Sequence, residues 1–435
     1  METITASKVS SPMKWYHGVT RYQWLVVLIA SAGWVFDAFE GQLFNVTRNQ
    51  ILADILRVAP GDPAVRFWGD VFLAVFLVGG TFGGILFGWM GDRWGRQPTM
   101  IVTILFYSVF SGLTYFADSL WQIGVLRFLV AMGVGGEWAV AAALVGEVVP
   151  SHARAHMAGL FHSTSIIGTW LAAWTGIAAG ENWRAAFLIG VAPALLVLWV
   201  RARVREPETW TAAKAKAEAG TGVQLGSFRD LLLNPRWNRR AIFGLLLAAV
   251  GLGTFWAVTV AGQDLARDFL LRHGVPAGEA AQRAKFAYGN IQAIGMALGM
   301  LSFGPLAVRL GRRRTFVVYH AAALVVVPLT CFLPTSYGML LSLLPLYGFV
   351  TIGIHAGYAV YFPELFPNHL RSTGTGFCFN GGRLLASSML LFSGWLKSLP
   401  GMDLRLGISL MASVFLLGIV VVTCMPETKG QPLPE

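Results

Sequence analysis

Stretches of about 20 mostly apolar residues recur along the whole chain, and a helix of that length spans a hydrocarbon core of about 30 Å. They fall near 22–44, 67–90, 98–117, 121–146, 155–180, 184–203, 240–263, 285–308, 314–333, 338–362, 372–396 and 404–425, twelve in all. A bilayer requires every backbone polar group to be satisfied within the segment, which helices do. The pattern therefore predicts an all-α membrane protein with twelve transmembrane helices. Hydrophobic residues make up 55% of the 435 and charged residues 13%, too apolar a balance for a water-facing skin. Cys331, Cys378 and Cys424 lie inside apolar runs and form neither a disulfide framework nor a metal pattern.

The placement of charge decides orientation. The net charge of +11 would suit nucleic acid, but the basic residues gather in alternate connections. The densest is "RARVREPETWTAAKAKAEAG…FRDLLLNPRWNRR" between the sixth and seventh runs. By the positive-inside rule this side is cytoplasmic, both termini lie there, and no nucleic-acid partner is implied. The opening "METITASKVSSPMKWYHGVTRY" lacks a short apolar core with a cleavage site, so the first run is expected to be a retained span.

The chain also repeats itself. "GWMGDRWGRQPTM" at 88–100 aligns with "GPLAVRLGRRRTF" at 304–316, "GEVVPSHARA" at 146–155 with "PELFPNHLRS" at 363–372, and "PET" at 207–209 with "PET" at 426–428. Ordered matches at about half the chain length indicate duplication. The expected organisation is an N-terminal six-helix bundle (1–203), a basic cytoplasmic linker (204–238) and a C-terminal six-helix bundle (239–435). Two such pseudo-symmetric bundles enclose a cavity at the bilayer midplane, which rocking exposes to one side and then the other.

These residues resemble a known family. "GWMGDRWGRQ" resembles the signature loop of the major facilitator superfamily. "RFLVAMGVGGE", the E-x6-R pairs and the terminal "PET" are similar to its branch of sugar porters and organic-acid/proton symporters. "FDAFE" with "GVGGEW" is similar to metabolite, sialate, lactate and aromatic-acid proton symporters. The resemblance implies alternating-access transport in an inner (plasma) membrane, with a proton as coupling ion and no other cofactor. It also implies that Gly91, Asp92, Arg93, Gly95, Arg96, Glu147, Arg154, Arg309, Arg312, Glu364 and Arg371 form a cytoplasmic latch between the halves. Asp92 has no acid at its repeat position, Val308, so the latch is expected to be lopsided.

An ionisable residue inside a span is costly unless paired, and so marks function. Asp37 lies 13 residues above Trp24, about 20 Å, and Arg127 lies six below Trp121, about 9 Å. In a core of about 30 Å those depths coincide, which predicts an Asp37–Arg127 pair. The pair reads as a proton switch or as a static ion pair. Glu40, three residues on, reads as a second proton site lining the cavity or as an outer-mouth residue. Glu137, about 15 Å below Arg127, reads as a gate or relay. Arg383 lies about 18 Å above the inner surface. Its fork suits a carboxylate, so the expected cargo is a small organic anion. Alternatively Arg383 pairs with Asp37 or Glu40. Trp170, Trp256, Gln292, Tyr358 and Asn380 are candidate lining residues, and His162 and His355 are read as structural.

Span two is also marked by Gly79 with Gly83, and by Gly80, Gly84 and Gly88, which permit close helix packing. No Walker sequence and no nucleophile–base constellation occurs, so neither a hydrolysis-driven pump nor an enzyme is expected. The protein is expected to work as a monomer. Rival cargoes on the same fold are a sugar and an organic cation, and a non-transporting nutrient sensor is the remaining alternative.

Overall fold

The computed structural model describes residues 14–435 apart from residues 61, 181 and 221. The polar stretch 1–13 expected ahead of the first span lies outside the described residues. In chain order the α-helices are α1 (Arg21–Leu56), α2 (Pro63–Arg93), α3 (Arg96–Leu113), α4 (Leu120–Val148), α5 (Ser151–Ser163), α6 (Ser165–Ala179), α7 (Trp183–Ile189) and α8 (Ala194–Arg203). Two short helices cross the linker, α9 (Glu208–Glu218) and α10 (Phe228–Leu233). Then follow α11 (Pro235–Thr254), α12 (Ala261–Arg272), α13 (Ala277–Phe286), α14 (Ala293–Leu310), α15 (Arg312–Phe332), α16 (Tyr337–Leu365), α17 (Arg371–Ser398), α18 (Leu404–Ala412) and α19 (Val414–Thr423).

Among the described residues, ten helical segments are long and apolar enough to cross a membrane. The two expected runs that do not qualify have visible reasons. Run 155–180 is divided between α5 and α6 at Thr164, and α5 opens on the polar "SHARAH". Run 372–396 is continuous within α17 but carries Asn380 and Arg383. Elsewhere the spans are joined rather than broken: π-helical turns at Phe255–Thr259 and Ala287–Gln292 carry α11 into α12 and α13 into α14.

Helices from the first half pack mainly on one another, with α2 and α3 on α4 and α1 on α6. In the second half α14 packs on α16 and α15 on α16 and α19. The halves meet through α2 and α4 against α17, and α5 against α14. Glycines set these contacts. A Cβ on Gly79 or Gly83 would strike the α4 backbone, 2.4 Å from the Phe128 carbonyl oxygen and 2.0 Å from that of Met132. A Cβ on Gly80, Gly84 or Gly91 would strike side chains of α17: Arg383, Asn380 and Ser372. The two interleaved stripes thus serve two partners, one within the half and one across it.

The linker does not hang free. Trp210 Nε1 donates to the Asp92 carbonyl at 2.6 Å, Gly226 N donates to the His369 carbonyl at 2.7 Å, and His369 Nε2 meets Asp230 Oδ2 at 3.0 Å. It therefore spans both halves at the end of the bundle where they touch.

Candidate functional site

At that linker end the duplicated motifs make duplicated contacts. Arg96 holds Glu147 at 3.1 and 2.7 Å and donates to the Gly91 carbonyl. Arg312 holds Glu364 at 3.0 and 2.7 Å and donates to the Ala307 carbonyl. Each E-x6-R arginine folds back on its own turn: Arg154 Nε donates to the Gly146 carbonyl at 2.8 Å, and Arg371 Nε to the Pro363 carbonyl at 3.0 Å. Neither pairs with the glutamate of its own motif. Instead Arg371 Nη1 reaches Glu147 of the other half at 2.9 Å.

Asp92 adds the second cross-half contact. Its carboxylate accepts from Ser372 N at 3.0 Å, Thr373 N at 2.8 Å and Thr373 Oγ1 at 2.6 Å, and it also holds Arg96 at 2.8 Å. An acid on the buried amides that open α17 meets the positive end of the helix dipole. Val308 offers nothing equivalent, and Glu364 is taken by Arg312 and, at 2.5 Å, by Thr428 Oγ1. Two expected members stand aside: Arg93 projects over the Trp89 ring at 5.3 Å, and Arg309 is exposed.

A further carboxylate missing from the sequence reading caps each α3-type helix. Glu206 accepts from Arg96 N at 2.9 Å and Gln97 N at 2.8 Å; Glu427 accepts from Arg312 N at 2.9 Å and Arg313 N at 3.2 Å. The "PET" alignment pairs Glu427 with Glu208, whereas in space its counterpart is Glu206; Glu208 is an exposed residue in the first turn of α9. Gly95 and Gly311, with φ of +114° and +95°, leave room for these carboxylates, since a Cβ would lie 2.6 and 2.5 Å from their oxygens. Burial pushes the Glu206 carboxyl above its ordinary range.

Midway along the bundle lies a cavity of about 270 Å³ lined by both halves. Asp37, Trp34, Gln42, His162 and Trp170 line it from the first half, and Trp256, Tyr288, His355, Phe379 and Arg383 from the second. Both π-helical turns reach it, through Trp256 and Tyr288. Such turns rotate side chains out of register and recur at functional sites.

The acids are distributed differently from the depth argument. Arg127 does not hold Asp37. Its guanidinium donates to the Glu40 carbonyl at 3.3 Å and the Gly41 carbonyl at 3.0 Å, and lies 3.9 Å from the Phe76 ring and 4.6 Å from that of Phe44. The depth estimate is off by one turn, about 5 Å. Glu40 turns away from the cavity, its Oε2 accepting from Ser111 Oγ at 2.6 Å, and does not line it. Asp37 instead faces Glu137, with Arg383 as its cationic neighbour. Glu137 is level with Gly33, where a Cβ would lie 2.3 Å from its Oε1, and its side chain reaches up one turn to Asp37. It belongs to the centre of the bundle, not to the latch. Among the described residues none donates to the four oxygens of Asp37 and Glu137, so a hydrogen bond between them requires a proton on one.

Arg383 lines the cavity, its Nη1 buried without a hydrogen-bond partner beside Gly80, where a Cβ would lie 2.4 Å away. Trp170 and Trp256 line the cavity as expected positions. Asn380, Gln292 and Tyr358 do not. Asn380 Nδ2 donates to the Gly135 carbonyl at 3.1 Å within the α2–α4–α17 contact. Gln292 Nε2 donates to the Thr259 carbonyl at 2.7 Å, and Tyr358 Oη to the Leu247 carbonyl at 3.0 Å. His162 and His355, read as structural, line the cavity while also bonding: Trp138 Nε1 donates to His162 Nδ1 at 3.1 Å, and His355 Nε2 meets the Gly251 carbonyl at 3.1 Å. Among the described residues no group of three or more His, Cys, Asp or Glu side chains could hold a metal ion.

Comparison with known proteins places this geometry in a family. The Major Facilitator Superfamily model matches residues 35–387. A probable 4-methylmuconolactone transporter of Cupriavidus pinatubonensis is 28% identical over 427 residues, covering 96% of this chain and 93% of its own. A cis,cis-muconate transport protein of Acinetobacter baylyi is 29% identical over 376 residues, covering 84% and 86%. The solved structure of the proton:xylose symporter XylE bound to 6-bromo-6-deoxy-D-glucose shares the fold at a TM-score of 0.73 and 16% identity, covering 95% of this chain and 98% of that one.

Proposed function

The chain belongs to the Major Facilitator Superfamily, and we propose that it is a proton-coupled symporter that carries a small organic anion through the central cavity. Secondary-active transport of a small solute across a membrane is the family's work; the coupling ion and the cargo are the parts proposed. We also propose that twelve spans divide six and six about the 204–238 linker, with both termini cytoplasmic. On that reading, the cross-half contacts Glu147–Arg371 and Asp92–Ser372 at the linker end close the cavity from the cytoplasm.

The observation that carries the reading is the juxtaposition on one cavity wall of Asp37 and of Arg383 with its unpartnered Nη1, Glu137 backing Asp37 from outside the lining to make a carboxyl pair without donors among the described residues. A carboxyl pair with one member, Asp37, on the cavity wall is a place to carry a proton. A carboxylate cargo on Arg383 and a proton on Asp37 offset one another's charge, so each favours the other's binding, reciprocally. That is the thermodynamic requirement of symport. The loaded, charge-compensated cavity then crosses between the two access states, while Glu147–Arg371 and Asp92–α17 break and re-form at the cytoplasmic end.

The relatives named for muconate and methylmuconolactone support an acidic or acid-derived cargo. A neutral sugar is the second reading, supported by the amide and hydroxyl groups of Gln42, Ser165 and Thr169 on the cavity wall and by the xylose symporter's shared fold. Proteoliposomes with an imposed pH gradient decide between them, once a thermal-shift screen of carboxylates, sugars and amines has found a ligand. For an anion, Arg383→Ala collapses uptake; undiminished uptake by that variant rejects the anion reading. Asp37→Asn abolishes gradient-driven accumulation while sparing counterflow of preloaded substrate; full accumulation rejects the coupling role.

A further inference from the structure

Away from the transport path, a second pocket of about 490 Å³ opens at the linker end between the start of α11 and the end of α19. Arg236, Arg239 and Arg240 enter it from α11, at spacings that share one helix face with Phe243. Arg313 enters from the first turn of α15, and the backbone of Thr423–Pro426 closes the far wall. Among the described residues no acidic side chain lines it. Arg240 and Arg313 are held in place, donating to the Leu365 carbonyl at 2.7 Å and to the Thr423 carbonyl respectively. Arg236 and Arg239 lie over the aromatic rings of Trp237 and Phe243, at 4.6 and 5.8 Å, with their charge left for a ligand.

What lies beside the pocket identifies the ligand. Val420 and Leu416 continue the Thr423 face of α19 away from the pocket and are 59% and 55% exposed, and Ile242 on α11 is 45% exposed. An apolar strip that a bilayer must cover therefore runs directly into a basic cavity. A free anion uses only the cavity; a phospholipid uses both, with its phosphate among the arginines and its acyl chains along α11 and α19. We propose that this pocket binds the phosphate-bearing headgroup of an anionic phospholipid, clasping the first and last helices of the second half.

Each arginine near an anionic lipid surface contributes about 1 kcal/mol, so removing two weakens retention about 30-fold. The full-length protein, purified in detergent, is titrated with phosphatidylglycerol, phosphatidylcholine and inorganic phosphate, and bound lipid is read by native mass spectrometry. The wild type retains phosphatidylglycerol in preference to phosphatidylcholine, and millimolar inorganic phosphate does not displace it. Arg236→Gln with Arg239→Gln lowers that retention about 30-fold, while the charge-matched Arg203→Gln with Arg205→Gln leaves it in place. Equal retention by the pocket variant, equal loss in the charge-matched control, or equal binding of phosphatidylcholine overturns the proposal. Displacement by inorganic phosphate alone overturns the lipid assignment in favour of a free anion. Thermal melting of both variants accompanies the assay, and a pocket variant that fails to fold is replaced by Arg239→Gln alone, with the same reading.

Discussion

Glu147 Oε1 lies 2.9 Å from Arg371 Nη1 and 2.7 Å from Arg96 Nη2, with all three side chains wholly buried. One carboxylate thus serves a guanidinium from its own half and one from the other. Breaking a buried pair by removing one partner leaves charge uncompensated, at a cost of about 3–5 kcal/mol. Glu147→Ala is expected to lower the thermal midpoint markedly and to loosen the linker end. An engineered Ser372→Cys thiol, buried between α2 and α17, then labels faster than in the parent. Glu364→Ala, whose carboxylate serves Arg312 and Thr428 within the second half, lowers the midpoint without that change in labelling.

The paired carboxyls make a prediction about additivity. Residues that act as a unit lose their effect together. Asp37→Asn and Glu137→Gln are each expected to abolish gradient-driven accumulation, and the double variant to be no worse than either. Independent, multiplying losses in proteoliposome uptake contradict a shared proton site.

Adjacent glycines on α2 separate stability from binding. Gly79→Ala drives a methyl into the α4 backbone, and overpacking of this kind costs about 1–3 kcal/mol. Its signature is a lower melting temperature. Gly80→Ala meets the far end of a flexible side chain, Arg383 Nη1 at 2.4 Å, so the fold yields and the guanidinium moves. Its signature is a raised KM for uptake with a near-parental melting temperature. The reverse pattern, or identical behaviour of the two, removes the assignment of the stripes to different partners.

The α3 cap predicts a pH dependence. Burial raises the Glu206 carboxyl above 4.5 in the folded protein. The folded state therefore binds the proton more tightly than the unfolded one, and the associated stability is full below 4.5 and is lost as pH rises through the raised folded value. Relative to Glu206→Gln, the wild type is expected to lose thermal stability as pH rises through that window. Parallel melting profiles for the two proteins contradict it.

Much of this molecule was legible in one dimension. Hydropathy placed ten of the expected spans, because crossing a bilayer depends on composition averaged over about 20 residues. The repeat placed Arg96 with Arg312 and Glu147 with Glu364, because duplicated text folds into duplicated local contacts. The α2 glycines announced close packing, and Arg383 announced a buried charge. The Glu206 cap was hidden because the shared "PET" pulls the alignment two residues away, onto a glutamate that does not reach the α3 amides.

Which acid meets which arginine was decided only in three dimensions. Depth along a helix follows from residue count, but direction around its axis turns by about 100° per residue. Asp37 and Glu40 lie about 4.5 Å apart along α1 and about 60° apart around it, enough to face different neighbours: one looks across to Glu137 and Arg383, the other back to Ser111. Long side chains then add or subtract a turn, carrying Glu137 up to Asp37 and Arg127 out to the carbonyls of Glu40 and Gly41. The sequence by itself determined a duplicated, membrane-spanning helical protein with charges at transport depth. The cavity, its lining and its partners came from the packing of helices whose rotations no single helix specifies.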